Sequence, residues 1–454
     1  MAGVTRVLIA NRGEIALRAV RAARALGIES VAVHSTADRA SPHVWAADRA
    51  IGIGPPPSTR SYLNMDSLLH VAQATGCDAV YPGYGFLSER AEFAQRCEDA
   101  GLTFIGPSPE VIREMGDKAK ARQAAERLGL PLVPGSEGAF TDATEAAREA
   151  DRIGFPLLLK ARAGGGGRGM RVAASADEFV DLFGQAAREA EAAFGDGAIY
   201  LERFFAAVRH IEVQIFGDHH GTVRHLGERD CTMQRRHQKL LEEGSSPVLM
   251  PLVREAICEA ARKLAAGIGY IGAGTVEFIF DVASEQFYFI EMNTRIQVEH
   301  PVTELLIGYD LIQEQMRVAR GEPLQVCVPA GGARGHAIEM RINAEDWRGG
   351  FRPSPGKLKR WRPPAGEGVR MDTFVYEGLD VPPYYDSMIG KLIIHGADRA
   401  QAIVRAKVAL GAFEIDGVHT TRDFHAAVLD DDDFINGNVH TRWVEGSFMP
   451  RLLG

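Results

Sequence analysis

A chain of 454 residues, 46% apolar and 24% charged, has the composition of an ordinary folded protein and is long enough for two to four domains of roughly 100–200 residues each. A formal net charge of −9 disfavours a general surface for nucleic acid or anionic membrane, and no run of about 18 apolar residues exists to span a bilayer. Five cysteines, Cys77, Cys97, Cys231, Cys258 and Cys327, are an odd number without a CxxC pair, which favours a reducing cytoplasm over a disulfide framework or a zinc site.

Only five residues precede Arg6 and the apolar "VLIA", too few for a charged region and a cleavage site, so no secretory leader is expected. The first hundred or so residues then alternate strand and helix: "RVLIA", "GEIALRAVRAARALG", "SVAVHS", "DAVYP", "RAEFAQRCEDAG", "TFIG". This βαβ pattern predicts a doubly wound parallel sheet. The turn after the first strand reads "NRGE" and lacks the GxGxxG of a dinucleotide site, so an NAD-dependent oxidoreductase is not expected. A helix "DKAKARQAAERLG" follows, closed by Gly129 and Pro131. Residues 133–204 read as a compact α+β unit, and from 205 onward strands and helices alternate with Gly/Pro-rich connections.

The α+β unit carries "KARAGGGGRGM", Lys160 to Met170, directly behind the apolar run Phe155–Leu159. Glycine loses the most backbone entropy on folding, so such a run must serve close approach, mobility or both. Gly164, Gly166 and Gly169 formally satisfy GxGxxG, but "MRVAAS" behind them reads as a second strand, and no GK[ST] is present. Strand, glycine loop, strand is an arrangement that folds backbone N–H groups over phosphates as a lid, with Lys160 as a point charge. A long hairpin turn with no ligand is the alternative.

A second constellation lies in "TVEFIFDVASEQFYFIEMNTRIQVEH". Centring a hairpin on Ser284 sets Glu277 opposite Glu291, with Phe278, Phe289 and Ile290 shielding both from bulk water. Two shielded carboxylates repel and call for a positive partner. Asn293 shares the Glu291 face, and this all-oxygen set suits Mg²⁺ or Mn²⁺ completed by substrate phosphates. Continued alternation adds Arg295, Gln297 and Glu299 to that face; a straight strand from Glu291 to Glu299 would reach roughly 26 Å. Either the segment bends or its far end serves a second substrate. The basic segment "RHLGERDCTMQRRHQKLLEE" is a third cluster, which charge alone leaves open between a solvated, internally paired segment and a site. Cys231 within it reads as a small buried side chain.

Taken together, "NRGEIALR", "YPGYGFLSE", "MGDK", "GGGGRGMRV", "ERDCTMQRRHQK", "EMNTRIQVEHPVTE", "RINAED" and "PPYYDSMIGKL" resemble biotin carboxylase, the ATP-grasp component of acetyl-CoA carboxylase and related acyl-CoA carboxylases. The resemblance runs from about Arg6 to "NVHTRWVE". It implies an α/β chain with a doubly wound, Rossmann-like N-terminal domain (1–115), a helical linker (116–132), an ATP-grasp α+β lid (133–204) and a C-terminal α+β domain (205–454). It further implies that Lys118, Lys160, Gly166 and Gly167 hold phosphates, and that Glu202, Arg203, Phe204, Phe205, His210, Gln234 and His237 surround the nucleoside. Glu277, Glu291 and Asn293 would hold magnesium or manganese. Lys239, Arg295, Gln297, Val298 and Glu299 would meet bicarbonate; Arg341, with Tyr84 as a weaker contact, would meet biotin.

The implied reaction starts with Glu299 deprotonating bicarbonate, whose oxygen attacks the ATP γ-phosphate to form carboxyphosphate. Carboxyphosphate breaks down to CO₂ and phosphate. Biotin then loses its ureido proton while Arg341 stabilises the enolate oxygen. The closed lid keeps water from the labile intermediate. This would be the first half-reaction of an acyl-CoA carboxylase, as in fatty acid biosynthesis.

This chain has Arg162-Ala163 where the family commonly has Ser-Gly, and Glu202-Arg203 where it has Glu-Lys; the alanine is expected to stiffen the lid. No Met-Lys-Met motif is present, so biotin is expected on a carrier protein or on a downstream segment. Expected partners are that carrier, a carboxyltransferase component and a second copy of the chain, without nucleic acid or membrane. Another ATP-grasp ligase, joining a carboxylate to an amine, should lack "RIQVEH" together with "RINAED". A non-catalytic nucleotide-binding subunit should lack one of Glu291, Arg295, Glu299 and Arg341, and all four are present.

Overall fold

The computed structural model describes residues 3–162 and 170–453. The glycine run with Gly166 and Gly167, and Ala163 before it, lies outside the described residues.

The N-terminal alternation forms five parallel strands, β1 (Arg6–Ile9), β2 (Glu29–Ser35), β3 (Arg49–Gly54), β4 (Ala79–Tyr81) and β5 (Thr103–Phe104), in the order β3-β2-β1-β4-β5. The run "VLI" serves both faces of its sheet. Val7 and Ile9 pack with helix Gly13–Ala25, through Ile15, Ala16, Ala19 and Val20, whereas Leu8 packs with Val31, Val33 and Phe93 on the other side. Strand order reverses between β1 and β4, which opens a crevice beyond their carboxyl ends. Asn11 ties the two loops there, its Nδ2 donating to the carbonyls of Pro82 at 2.7 Å and Tyr84 at 2.8 Å. Gly13 starts the helix at φ +68, with the Phe374 ring 3.5 Å from where a Cβ would stand.

Helix Lys118–Arg127 follows, its N-terminus capped by Asp117. Then β6 (Leu157–Ala161), β7 (Met170–Ala173) and β8 (Ile199–Arg203) form a separate antiparallel sheet in the order β7-β6-β8. The strand expected after the glycine run is therefore present, paired with β6 from Leu157↔Ala173 to Lys160↔Met170. Helices Ala143–Ile153 and Ala176–Phe194 cover this sheet around their own core of Leu157, Leu159, Phe179, Phe183 and Leu201.

The rest of the chain is organised by an eight-stranded antiparallel sheet. Its strands include β9 (Arg209–Gly217), β10 (Val223–Arg235), β11 (Gln238–Gly244), β12 (Gly272–Asp281), β13 (Gln286–Asn293) and β14 (His336–Asn343), in the order β13-β12-β9-β10-β11-β14, continued by strands Met388–Gly396 and Val369–Thr373. The basic segment that charge left undecided is the interior of this sheet: it forms β10 and β11, with Arg229, Cys231 and Glu242 fully buried. Among the described residues no helix is long and apolar enough to cross a membrane.

Candidate active site

Between the three sheets lies a cleft of about 1450 Å³. Every site residue named from the sequence that falls within the described residues lines it, except Glu299, which sits fully buried beneath and bonds to two that do.

One wall is the β12–β13 hairpin. Val276, Phe278 and Phe280 point into a core with Ile211, Val213 and Ile215, so period-two alternation sends Glu277 the other way, into the cleft. Glu277 pairs in register with Glu291, and Thr275 with Asn293. A register shift follows at once, since Phe278 pairs with Phe289, leaving Ile290 as an extra residue. That bulge lets Phe289 and Met292 both stay in the core while Glu291 and Asn293 line the cleft. Uninterrupted alternation would have put Phe289 on the same face as Glu291.

A positive partner for Glu277, though not for Glu291, comes from β11. Lys239 Nζ stands 2.5 Å from Glu212 Oε2, 3.1 Å from Glu277 Oε1 and 2.7 Å from Glu299 Oε1. Burial opposes charge on Lys239, but Glu212, Glu299 and Glu277 outweigh it and push its pKa well up. His210 Nε2, grouped with the nucleoside by the resemblance, lies 3.0 Å from Glu277 Oε2 at this carboxylate end. Burial raises Glu277, yet Lys239 and His210 hold it well below the usual carboxylate range. Glu291 goes the other way, raised by burial and then by the charge of Glu277. Two facing carboxylates, one of them resisting ionisation through burial and then through the charge of the other, with an amide beside them, fit a divalent hard cation.

Beyond Asn293 the strand ends. Thr294 to Glu299 bend through turns into helix His300–Ile307, so the polar stripe folds back into the cleft and does not run straight. Arg295 is set by four acceptors: Glu89 Oε2 at 2.7 Å, Gln297 Oε1 at 2.7 Å, the Ile296 carbonyl at 3.1 Å and Asn293 Oδ1 at 3.4 Å. Glu299 accepts from Lys239 on one oxygen and from Arg341 Nη2, at 3.0 Å, on the other. Burial would raise it, but Lys239, Arg341 and Arg229 keep it well below the usual range, so it stays ionised. Arg341 also donates from Nε to Glu242 Oε1 at 2.7 Å. Tyr84, from the crevice of the parallel sheet, donates to Glu14; Lys391 holds that carboxylate at 2.9 Å and also donates to the Val298 carbonyl at 2.9 Å.

At the opposite end, Phe205 stacks on Tyr288 with ring centroids 5.2 Å apart, and Arg442 lies over Phe204 at 4.7 Å. Arg203 N donates to the Pro134 carbonyl and Phe204 N to that of Pro156, tying the end of β8 to the segment at Pro134 and to the entry of β6. His237, at φ +64, occupies the tight turn between β10 and β11, close to Gln234. Lys160 is ion-paired with Glu202, and Lys118 faces the cleft from its helix start.

Reading the sequence overlooked Glu212, Glu89, Glu14 and Lys391, and left Arg229 and Glu242 within the undecided basic segment. Glu212 and Arg229 are both fully buried and joined at 2.5 Å, and Glu212 in turn anchors Lys239. A charged residue inside the apolar run "HIEVQIF" was the available signal for Glu212. For Lys391 in "IGKLII" the same signal existed.

Residues 3–112 match the biotin carboxylase N-terminal domain, 117–327 the ATP-binding domain of the carbamoyl-phosphate synthase L chain, and 339–446 the biotin carboxylase C-terminal domain. A Nostoc biotin carboxylase is 53% identical, covering 97% of this chain and 98% of its own length. The Campylobacter jejuni biotin carboxylase in complex with a β,γ-ATP compound is similar in structure, with TM-score 0.87 and 47% identity over 97% of this chain and 98% of that one. So is the biotin carboxylase domain dimer of the Hydrogenobacter thermophilus 2-oxoglutarate carboxylase, solved with MgADP, ADP and bicarbonate, with TM-score 0.88 and 45% identity over 100% and 99% of the two chains. With matching models in all three parts and half-identical relatives along nearly its whole length, the chain belongs to the biotin carboxylase family.

Proposed function

We propose that this protein carboxylates biotin, carried on a partner protein or domain, using bicarbonate and ATP. The observation that carries the reading is the convergence of Lys239 and Arg341 on the two oxygens of Glu299, one side of which faces the carboxylate hairpin and the other the crevice of the parallel sheet. Glu299 starts ionised and is therefore able to take the bicarbonate proton. Lys239, Arg295 with Gln297, and the Val298 backbone hold the oxyanion against the γ-phosphate. Lys118, Lys160 and the glycine run hold phosphates, while Glu202 to Phe205, Gln234 and His237 hold the nucleoside and His210 bridges toward Glu277. Glu277, Glu291 and Asn293 would hold Mg²⁺ or Mn²⁺, which when bound neutralises charge on the transferring phosphoryl oxygens. Arg341 and Tyr84 flank the ureido ring, and the guanidinium faces the oxygen on which negative charge builds.

The division supporting this reading is a doubly wound unit at 1–115, a linker at 116–132, a lid at 133–204 and a C-terminal unit at 205–454; the separate core of the small sheet favours the lid boundaries. A carboxyltransferase component, a homodimeric state and a cytoplasmic location complete the proposal. A different ATP-grasp ligase is not favoured, because the resemblance to biotin carboxylases spans nearly the whole chain. The test is ATP cleavage by the purified chain with and without bicarbonate and free biotin. Turnover that requires bicarbonate and rises with biotin is expected; turnover indifferent to both would overturn the assignment.

A further inference from the structure

Beneath the cleft lie two carboxyl groups to which nothing above gives a chemical task. Glu242 of β11 and Glu339 of β14 are direct partners in the antiparallel register, and both are fully buried. Directly opposed residues have Cβ atoms roughly 4.5–5.5 Å apart, so one oxygen of each carboxyl can reach the other through a single O–H···O bond. Of the four oxygens of this pair, Arg341, two residues from Glu339 along β14, reaches only Glu242 Oε1, from Nε at 2.7 Å and Nη2 at 2.6 Å, its other contact being Glu299. Glu242 Oε2 and both oxygens of Glu339 have no hydrogen-bond partner among the described residues.

The other charges facing the pair are committed elsewhere. Lys391, opposite Arg341 on the next strand, is held by Glu14 and the Val298 carbonyl. Lys239 is shared among Glu212, Glu277 and Glu299, and Glu299 is itself an anion. Three carboxyl oxygens at one cross-strand position thus have no hydrogen-bond donor among the described residues. Two ionised carboxylates facing each other in a fully buried position are strongly unfavourable, whereas one retained proton removes the repulsion and supplies a donor.

We propose that Glu242 and Glu339 hold one proton between them and, as a monoanionic pair, position the Arg341 guanidinium for biotin, an assignment that rests on the biotin-carboxylating reading above. Burial lifts Glu242 to about 7 against the pull of Arg341, and lifts Glu339 well above the usual carboxylate range against the pull of Lys391. As a monoanion the pair gives Arg341 a single counter-charge, through Glu242 Oε1. When the proton leaves, a further negative charge, added to those of Glu242 and Glu299 beside the guanidinium, weakens its attraction for an enolate oxygen and draws it toward the sheet. Glu242 and Glu339 are positioning residues in this scheme, since they act through Arg341.

The test compares full-length wild type, Glu339→Gln and Glu339→Ala by infrared titration and by the pH dependence of kcat/KM for free biotin. The glutamine keeps the shape and an N–H toward Glu242 but has no proton to lose. Wild type should show a protonated-carboxyl carbonyl band that persists above the ordinary carboxylate range and fades only as pH rises further, and Glu339→Gln should lack it. The matching alkaline fall in kcat/KM for biotin should disappear in Glu339→Gln, which should retain about tenfold more kcat/KM than Glu339→Ala. An unchanged band and an unchanged alkaline limb in Glu339→Gln overturn the shared proton. If Glu339→Gln does not fold, Glu242→Gln, which should also lose the band, replaces it in the infrared comparison. Wild-type ATP cleavage that ignores biotin would overturn the catalytic reading alone, because the infrared comparison still decides the pair.

Discussion

Glu299 accepts a cation on each oxygen, and this geometry sets how it behaves with pH. Its carboxyl is depressed because the pull of Lys239, Arg341 and Arg229 exceeds the cost of burial. A group with a depressed folded pKa contributes stability that is present above its unfolded value, about 4.3, and lost only as pH falls through the lower folded value. The acid limb of bicarbonate-dependent ATP cleavage that belongs to Glu299 should accordingly lie below the ordinary carboxylate range, as a rate profile followed by phosphate release would show. Glu299→Gln removes the base while keeping the shape, and should lower that rate by roughly 10²–10⁴-fold. Arg341→Lys should be no conservative change, because one ammonium cannot reproduce the Nε and Nη2 contacts to Glu242 and Glu299. A loss of about 10²–10³-fold in the biotin-dependent rate is expected, measured as the increment in ATP cleavage when biotin is added.

Strands decide which of these side chains can meet. The β12–β13 hairpin is a local structure, so its turn centre and period of two were enough to oppose Glu277 to Glu291 on paper. The bulge at Ile290 was not legible, because nothing in "FYFIEMN" distinguishes an extra residue from an alternating one. It is imposed by the core, which takes both Phe289 and Met292. Close approach between strands also makes glycine obligatory at certain positions. A Cβ on Gly217, at the end of β9, would stand 1.9 Å from the Tyr270 carbonyl oxygen, a backbone atom with little freedom to move. Gly217→Ala should therefore destabilise the protein by about 1–3 kcal/mol, seen as a lower denaturant midpoint at unchanged slope.

Across the whole molecule, buried charges join parts of the chain that are remote in sequence. Lys391 of the large sheet and Glu14 of the parallel-sheet crevice, fully and almost fully buried, meet at 2.9 Å. Arg12 and Asp38 meet at 2.7 Å, with the guanidinium 4.2 Å from the Tyr385 ring centre. Lys391→Met leaves Glu14 buried without its cation and should cost about 3–5 kcal/mol, whereas adding Glu14→Gln should recover part of that loss. Denaturation midpoints of the two single variants and the double variant measure this coupling. By itself the sequence determined the alternating parallel domain, the glycine run between paired strands and the facing carboxylates, because each depends on spacing within a few tens of residues. Only the tertiary structure decided that Lys239 joins Glu212, Glu277 and Glu299, that Glu242 faces Glu339, and that Lys391 closes on Glu14. Those contacts depend on strand order and on which apolar faces are buried together; a charged residue inside an apolar run marks burial but does not name its partner.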